Sequence, residues 1–505
     1  MSGNCNPLPQ SWVHAALDDC CHVILGQSPP GESYNDSGKG MPFFQGKADF
    51  RELYPTVRKW CIQPGKIAER DDVLISVRAP VGPTNLCPGN ACIGRGLAAL
   101  RALGGSAPRY ILYALRNTQA QLAAQGTGST FEAINGDQLR AHRIPIAPKE
   151  EQDRIVAEIE KQFTRLDDAV AALKRVRANL KRYRASVLKA ACEGRLVPTE
   201  AELARKEGRS YESGEQLLAR ILRECRAKWE AHQLATMLAA GKPADDERWK
   251  HDYREPVRPN VAALPRLPEG WEWACADQLL SHVTSGSRNW ADHYCEHGAL
   301  FIRAQDIKTD TLDLSSPAHV QLPQGAEGIR TRVRGDDILV TITGANVSKT
   351  ARVTQAPAEA YVSQHVALLR PVLPLISPFL YHWIVSPANG RRDLLTKAYG
   401  AGKPGLNLDN IRELPVPLPP ADEQVRITKE LDIRFSALER FAELIGRNLD
   451  RSTGLRHASL KTAFSGRLVP QDPSDEPASV LLERIRAERA ATGKAPVQRR
   501  SASAR

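Results

Sequence analysis

Residues Asn135–Pro198 read NGDQLRAHRIPIAPKEEQDRIVAEIEKQFTRLDDAVAALKRVRANLKRYRASVLKAACEGRLVP, and residues Asn407–Pro470 read NLDNIRELPVPLPPADEQVRITKELDIRFSALERFAELIGRNLDRSTGLRHASLKTAFSGRLVP. The two align without a gap at a constant offset of 272, with 22 identities in 64 positions. Shared composition does not hold a gapless register over such a length, so the chain is internally duplicated. The repeat extends in both directions. Leu217-Leu218 with Arg220-Ile221 returns as Leu481-Leu482 with Arg484-Ile485. Upstream, Leu8-Pro9 and Trp12 return as Leu267-Pro268 and Trp271, Asp71–Ile75 as Asp336–Val340, and Leu100-Arg101 as Leu369-Arg370. Each half therefore has one order: a globular block, a Pro-rich exit, a long helix, and a Gly-Arg-Leu-Val-Pro stop.

The helices are the clearest elements. Glu150 to Cys192 contains neither Gly nor Pro, and Ile159, Leu166, Leu173, Leu180 and Val187 recur every seven residues. Val176, Tyr183 and Ala190 occupy the second heptad position, with Gln162 and Ala169 weak there. This is a coiled-coil seam, and at ~1.5 Å per residue it runs roughly 60–65 Å. Pro148 and Gly194 suit its boundaries. The second helix keeps Leu431, Leu438 and Ile445, but its later seam decays to Ser452 and Ser459, and Gly446 and Gly454 interrupt it. A bend or a different packing is expected there. Two helices with complementary stripes bury them against each other, and an antiparallel pair relates the two halves by an approximate two-fold axis. The alternative is that each helix packs only on its own block.

The expected fold is α+β: two α/β blocks joined by two long helices in an antiparallel coiled coil. The expected segments are a first block at 1–148, a helix at 149–198, and a connector at 199–266. A second block at 267–420, a second helix at 421–470 and a C-terminal segment at 471–505 follow. Within the blocks, Val73–Val77 and Ile338–Ile342 read as strands, and Ile111–Leu122 and Pro378–Ile384 as helical. The connector reads as a helix near Gly214–Ala235 followed by a Pro-containing extended stretch.

Composition sets the class. Apolar residues make up 42% of the chain, enough for packed cores. Lys and Arg number 69 against 58 acids, a formal charge of +11. That surplus favours a polyanionic partner, since cations that neutralise phosphates release counterions. No stretch approaches a membrane span and the first thirty residues carry no signal-peptide pattern, so a cytoplasmic protein is expected. The ten cysteines include no C-x-x-C pair and all lie before residue 296, which fits reduced thiols. Cys87 and Cys92 are the nearest approach to a zinc pair.

Catalytic motifs are sought and not met. Gly344 to Lys349-Thr350 lacks the second glycine of a phosphate-binding loop. The Asn/Asp-Pro-Pro-aromatic tetrapeptide of amino-methyltransferases does not occur, nor do H-E-x-x-H or G-x-S-x-G. A loosely spaced nuclease site of scattered acids and lysines stays open.

Leu267-Pro268-Glu269-Gly270-Trp271, with Leu8-Pro9-Gln10-Ser11-Trp12 as a weaker copy, resembles the domain-opening motif of the specificity subunits of type I restriction–modification systems. Pro417-Leu418-Pro419-Pro420 with Glu423-Gln424 and Ile427 is similar to that family's domain-exit motif. Gly466–Pro470, Glu476-Pro477-Ala478 and Leu481–Ile485 are similar to its C-terminal conserved region. The resemblance covers nearly the whole chain, in the family's order, twice. The departures are a longer, Cys-bearing connector and the weakened second seam.

The resemblance implies a non-catalytic DNA-reading subunit with two target-recognition domains, each reading half of a split, asymmetric double-stranded site. The helices would set the spacer. The implied partners are two methylation subunits and restriction/translocase subunits; S-adenosylmethionine, ATP and Mg belong to those partners, and this chain binds no cofactor directly. Two readers at fixed separation can meet successive grooves one helical turn, ~34 Å, apart. Candidate DNA contacts lie in loops repeated in place but different in content. After the Asp-Asp strand these are Arg78 and Asn85 in the first half and Asn346, Lys349 and Arg352 in the second. Before the exit motif they are Gln125, Thr127 and Ser129, and Tyr399 and Lys403. For each the alternative is a solvated turn. His365 is a structural or DNA-contacting residue, and Lys174, Arg175, Lys181 and Arg182 face solvent, the methylation subunit or spacer phosphates. Two rival readings stay open. An enzyme that cuts or methylates alone would need the missing tetrapeptide or a nuclease core, and a coiled-coil scaffold would show no specific DNA binding.

Overall fold

The structure is a computed structural model that describes residues 7–126, 133–241, 246–286, 290–322, 328–355, 357–400, 402 and 404–491. The chain forms two compact units, Met1–Lys174 with Ile445–Arg505, and Arg175–Leu444. The division falls inside both long helices, Lys149–Cys192 and Ala421–Ala463.

In the first unit, Val13–Ala16 pairs antiparallel with Arg143–Ile146, so the strand that opens the block is clamped to the one that leaves it. A four-stranded antiparallel sheet follows, in the order Cys21–Leu25, Leu97–Ala102, Val73–Ser76, Thr84–Leu86. A second, five-stranded sheet contains the parallel pair Met41–Phe44 and Ala91–Ile93. Strand periodicity explains why Val73–Ser76 is apolar on both faces. Val73 and Ile75 enter one core with the helix Pro108–Asn117, and Leu74 enters another with Phe44 and Ile93.

The second unit repeats the plan. Glu272–Cys275 pairs with Pro415–Leu418. The four-stranded sheet runs Leu280–Ser285, Val366–Pro371, Ile338–Thr341, Thr350–Arg352. Ile338 and Val340 enter one core, Leu339 another. The parallel pair is Ala299–Ile302 with Ala360–Val362.

A buried aspartate starts the central strand of each unit. Asp337 is fully buried, holds Arg370 through two bonds of 2.8 and 2.7 Å, and accepts from the Arg334 amide at 2.7 Å. Asp72 does the same for Arg101, at 3.0 Å twice, and for the Glu69 amide at 2.8 Å. The residue before each, Asp71 or Asp336, adopts positive φ, which completes the turn.

Within each unit a stretch of one long helix packs antiparallel on a stretch of the other. In the first, Arg456 lies 4.8 Å from the Phe163 ring and pairs with Asp167, while Ser459 donates to Gln162 at 2.9 Å. In the second, Arg184 lies 3.9 Å from the Phe435 ring and 3.6 Å from Glu439. Arg184 and Arg456 occupy equivalent places in the repeat, as do Phe163 and Phe435, so each half supplies the cation for one ring and the ring for the other cation. The weak seam positions Gln162 and Ser459 prove complementary, joined by a hydrogen bond.

Of the seam residues, Ile159, Val187, Leu431, Leu438 and Ile445 are buried, and Leu166, Leu173 and Leu180 are half-buried. Val176 and Tyr183 are 46% and 49% exposed, so the second stripe is only partly used. The helix runs unbroken through Gly446 and Gly454. A helix tolerates single glycines at a propensity cost of about 1 kcal/mol.

In the connector the helix read near Gly214–Ala235 spans Gly214–Ala239, and a further helix, Glu200–Glu207, precedes it; Leu217 and Ile221 are buried in the core of the second unit. Its aromatic residues fold back together, Trp249 stacking on Trp229 at 5.8 Å and Tyr253 meeting Trp229 edge-on. The corresponding segment after the second helix packs Leu481, Leu482 and Ile485 into the core of the first unit.

Candidate nucleic-acid interface

The opening tryptophans are anchored before any surface is displayed. Trp12 Nε1 donates to Glu151 at 2.9 Å, and Trp271 Nε1 to Glu423 at 2.9 Å. Glu423 is fully buried and also accepts from the Glu200 amide at 2.8 Å. Burial pushes its carboxyl up to about 6, against the pull of these donors and of Arg426. Burial likewise raises Glu151. Burial would also raise Glu200, but Arg426 and Arg209 outweigh it and hold that carboxyl below its ordinary value.

On this frame a short turn links the parallel strand to the centre of the four-stranded sheet. In the first unit it is Gly94-Arg95-Gly96. The Gly94 amide donates to Phe44 O at 2.8 Å, Leu97 to Gly94 O at 2.9 Å, and Val77 to Gly96 O at 3.0 Å. In the second unit Ser363-Gln364-His365 makes the same three bonds, to Ile302 O, Ser363 O and His365 O, at 2.9, 3.0 and 2.9 Å. Arg95 and Gln364 are therefore structural equivalents, and both are exposed. A glycine lies against each turn from the neighbouring strand. A Cβ on Gly26 would sit 2.2 Å from Gly94 O, and one on Gly286 2.0 Å from Val362 O.

Beside each turn lies a second equivalent pair, Arg78 and Thr343. Each bridges the chain just before a short helix, Gly136–Ala141 or Leu408–Arg412: Arg78 with Ala133 and Thr343 with Gly405. In the second unit Thr343 Oγ1 meets His365 Nδ1 at 2.6 Å, and Gln364 Nε2 meets His365 Nε2 at 3.2 Å. Gln364 and His365 border a cleft of about 570 Å³ whose walls also include Asn346, Tyr294 and Phe301. In the first unit Gln45, Lys47, Arg78 and Arg95 are all exposed, and the Gln45 backbone packs on Gly96.

The candidates named from sequence distribute unevenly. Arg78, Gln125 and Tyr399 are exposed, and Asn346 and Lys349 are half-buried. Arg352 is half-buried and paired with Asp336 at 3.2 Å. Asn85 is a correction. It is fully buried, donates to Arg51 O and Thr84 O at 2.8 Å and accepts from the Arg51 amide at 3.0 Å, so it has no edge to offer a base. It clamps the 50–52 loop to its strand. Thr127, Ser129 and Lys403 lie outside the described residues. Lys174, Arg175, Lys181 and Arg182 are exposed. Sequence reading missed Arg95 and Gln364. Their signal is a long polar residue set one small residue beyond the end of a buried strand, Ile93-Gly94-Arg95 against Val362-Ser363-Gln364.

Cys87 is a buried thiol bonded to Gly89 O at 2.9 Å, and burial raises it to about 12. Cys92 packs with Cys61. Among the described residues no group of three His, Cys, Asp or Glu could hold a metal, and no helix is long and apolar enough to cross a membrane.

Comparison with known proteins places this architecture. The family model "Type I restriction modification DNA specificity domain" matches residues 9–180 and 330–444. The putative MjaX type I restriction enzyme specificity subunit of Methanocaldococcus jannaschii is 33% identical over 37% of this chain and 44% of its own length, so the match spans less than half of that relative. The EcoBI specificity subunit of Escherichia coli is 22% identical over 96% of this chain and 93% of its own. Among solved structures, the HsdS subunit of Thermoanaerobacter tengcongensis covers 92% of this chain and 100% of its own, with a TM-score of 0.52 at 16% identity. A chain from a study of assembly and conformational transition of the type I R-M system gives 0.60 at 18% identity, over the same shares. This chain therefore belongs to the type I restriction–modification DNA specificity family, with two target-recognition domains built on one repeated frame.

Proposed function

We propose that the chain is the non-catalytic subunit that directs a type I restriction–modification complex to a split, asymmetric site on double-stranded DNA, each recognition domain reading one part. The observation that carries this reading is the pair of equivalent exposed turns. The backbone frame is repeated bond for bond, yet the displayed side chain is Arg95 in one unit and Gln364 in the other. A reader of one symmetric site would have no use for that difference. Base edges are distinguished by such side chains, while the surrounding cations supply sequence-independent attraction to phosphate. Two methylation subunits carrying S-adenosylmethionine, and restriction/translocase subunits using ATP and Mg, supply the chemistry. The complex acts in the cytoplasm.

The test is co-expression with the neighbouring methylation subunit, followed by genome-wide mapping of modified adenines. The expected result is one two-part motif that disappears when this chain is omitted. A purified, DNA-free complex that modifies no adenine, or a motif that persists without this chain, overturns the reading.

A further inference from the structure

We propose that the turns Gly94–Gly96 and Ser363–His365 are the base-reading turns of the two domains, Arg95 reading a guanine in one half-site and Gln364 an adenine in the other. This rests on the reading of the chain as a DNA-specificity subunit and adds which side chains read and what they read.

Three observations carry it. The turns are equivalent by three backbone hydrogen bonds each, so their central side chains are presented from the same place in the fold. Both are held rigidly, bonded to strands of two sheets and backed by a glycine that leaves no room for a Cβ. Rigid presentation matters because base readout depends on geometry within a few tenths of an ångström. Finally, the immediate surroundings match the side chain displayed.

Gln364 needs orienting, since an amide presents an oxygen or a nitrogen depending on its flip. Its Nε2 lies 3.2 Å from His365 Nε2 and can only donate, so that ring nitrogen accepts. The ring proton then sits on Nδ1, directed at Thr343 Oγ1 2.6 Å away. Gln364 is left with Oε1 and one N–H, an acceptor beside a donor. That pair complements the N6–H donor and N7 acceptor of adenine in the major groove. In the first domain Gly96 and Arg78 replace His365 and Thr343, and the orienting chain is absent. Arginine does not need it, because every position of its fork is a donor, matching the O6 and N7 acceptors of guanine.

The experiment is selection of duplexes from a randomised pool by the full complex of this chain with its methylation subunits. The complexes carry the wild-type chain, Arg95→Ala, Arg95→Gln, Gln364→Ala or Gln364→Arg. The wild type should select a two-part motif. Arg95→Ala should lower discrimination at one guanine by roughly tenfold to a hundredfold, leaving the other block intact. Gln364→Ala should do the same at one adenine of the other block. Arg95→Gln should move its position toward adenine, and Gln364→Arg should move its own toward guanine. Retention of the untouched block reports a folded chain. Unchanged motifs in both alanine variants overturn the assignment while leaving the specificity-subunit reading standing. So does loss of both blocks at an unchanged circular dichroism spectrum, because a reader acts at one position. A wild-type complex that selects no motif overturns the underlying reading itself.

Discussion

Replacing Asp337 by alanine is expected to loosen the second unit more than the equivalent Asp72→Ala loosens the first. Asp337 is fully buried, and Arg370 is 18% exposed with no second carboxylate among its contacts. Removing the carboxylate strands a mostly buried guanidinium with only Arg332 O, and strips the Arg334 amide of its acceptor. Breaking a buried pair in this way costs about 3–5 kcal/mol. Arg101 is 32% exposed and keeps Glu69 at 2.8 Å, so its loss is nearer that of one or two charge-assisted bonds, about 1.5–3 kcal/mol. A chain of two units is a poor subject for a single unfolding transition, so amide hydrogen exchange on the full-length protein is the right assay. Protection in Val366–Pro371 should fall about a hundredfold or more in Asp337→Ala, while Leu97–Ala102 is unaffected. Asp72→Ala should show the reverse pattern with a loss of about tenfold to a hundredfold. Equal losses, or a larger loss in Asp72→Ala, would refute the argument that burial and the second partner set the difference.

Three further outcomes are expected. Because burial raises Glu423 to about 6 from 4.5, the folded state binds its proton more tightly than the unfolded one. Its contribution is present below about pH 4.5 and lost as pH rises through about 6, near 2 kcal/mol in all. Exchange protection in Glu272–Cys275 and Pro415–Leu418 should decline across that window, and Glu423→Gln should flatten it. Gly286→Ala should destabilise the second unit by roughly 1–3 kcal/mol, read as lost exchange protection in Leu280–Ser285 and Val366–Pro371, since its Cβ meets a backbone carbonyl. Gly46→Ala, with open space and extended backbone, should change the protection of the first unit little. Gln162→Leu alone should lower exchange protection around Gln162 and Ser459 in the first unit by leaving the Ser459 hydroxyl without its acceptor, and Gln162→Leu with Ser459→Ala should restore most of it.

What the sequence discloses and what it hides have separable causes. The helices were legible because a heptad stripe is a local signature; they run Lys149–Cys192 and Ala421–Ala463, each stopping short of the bounds at 198 and 470 read from the sequence. The second stripe was over-read at Val176 and Tyr183, since periodicity marks a face but not how much of it a partner covers. The docking of the connector could not be read at all. Leu217 and Ile221 look like an ordinary amphipathic stretch, and nothing local tells which core receives them. Asn85 failed because the stretch read as a loop after the Asp-Asp strand is at that point a buried strand, Thr84–Leu86. Its burial follows from the 50–52 loop closing over it, a contact 34 positions away in sequence.

The pattern of identity within the repeat now has a physical reason. Several positions identical in both halves meet a partner across the helix pair or anchor a strand: Phe163 and Phe435 under Arg456 and Arg184, Glu151 and Glu423 under the two tryptophans. Gln152 and Gln424 belong with them, each bonded to the carbonyl at the end of the exit strand, Ala147 O or Pro419 O. A change at Phe163 or Phe435 breaks a contact made by the opposite half's helix, and a change at the glutamates or glutamines breaks one made within its own half. Arg95 and Gln364 touch almost nothing of the frame, because backbone bonds and a bare glycine hold their turns. Their side chains are free to differ without cost to folding. Recognition can therefore diverge between two copies of one architecture at the very places where the architecture does not depend on side chains.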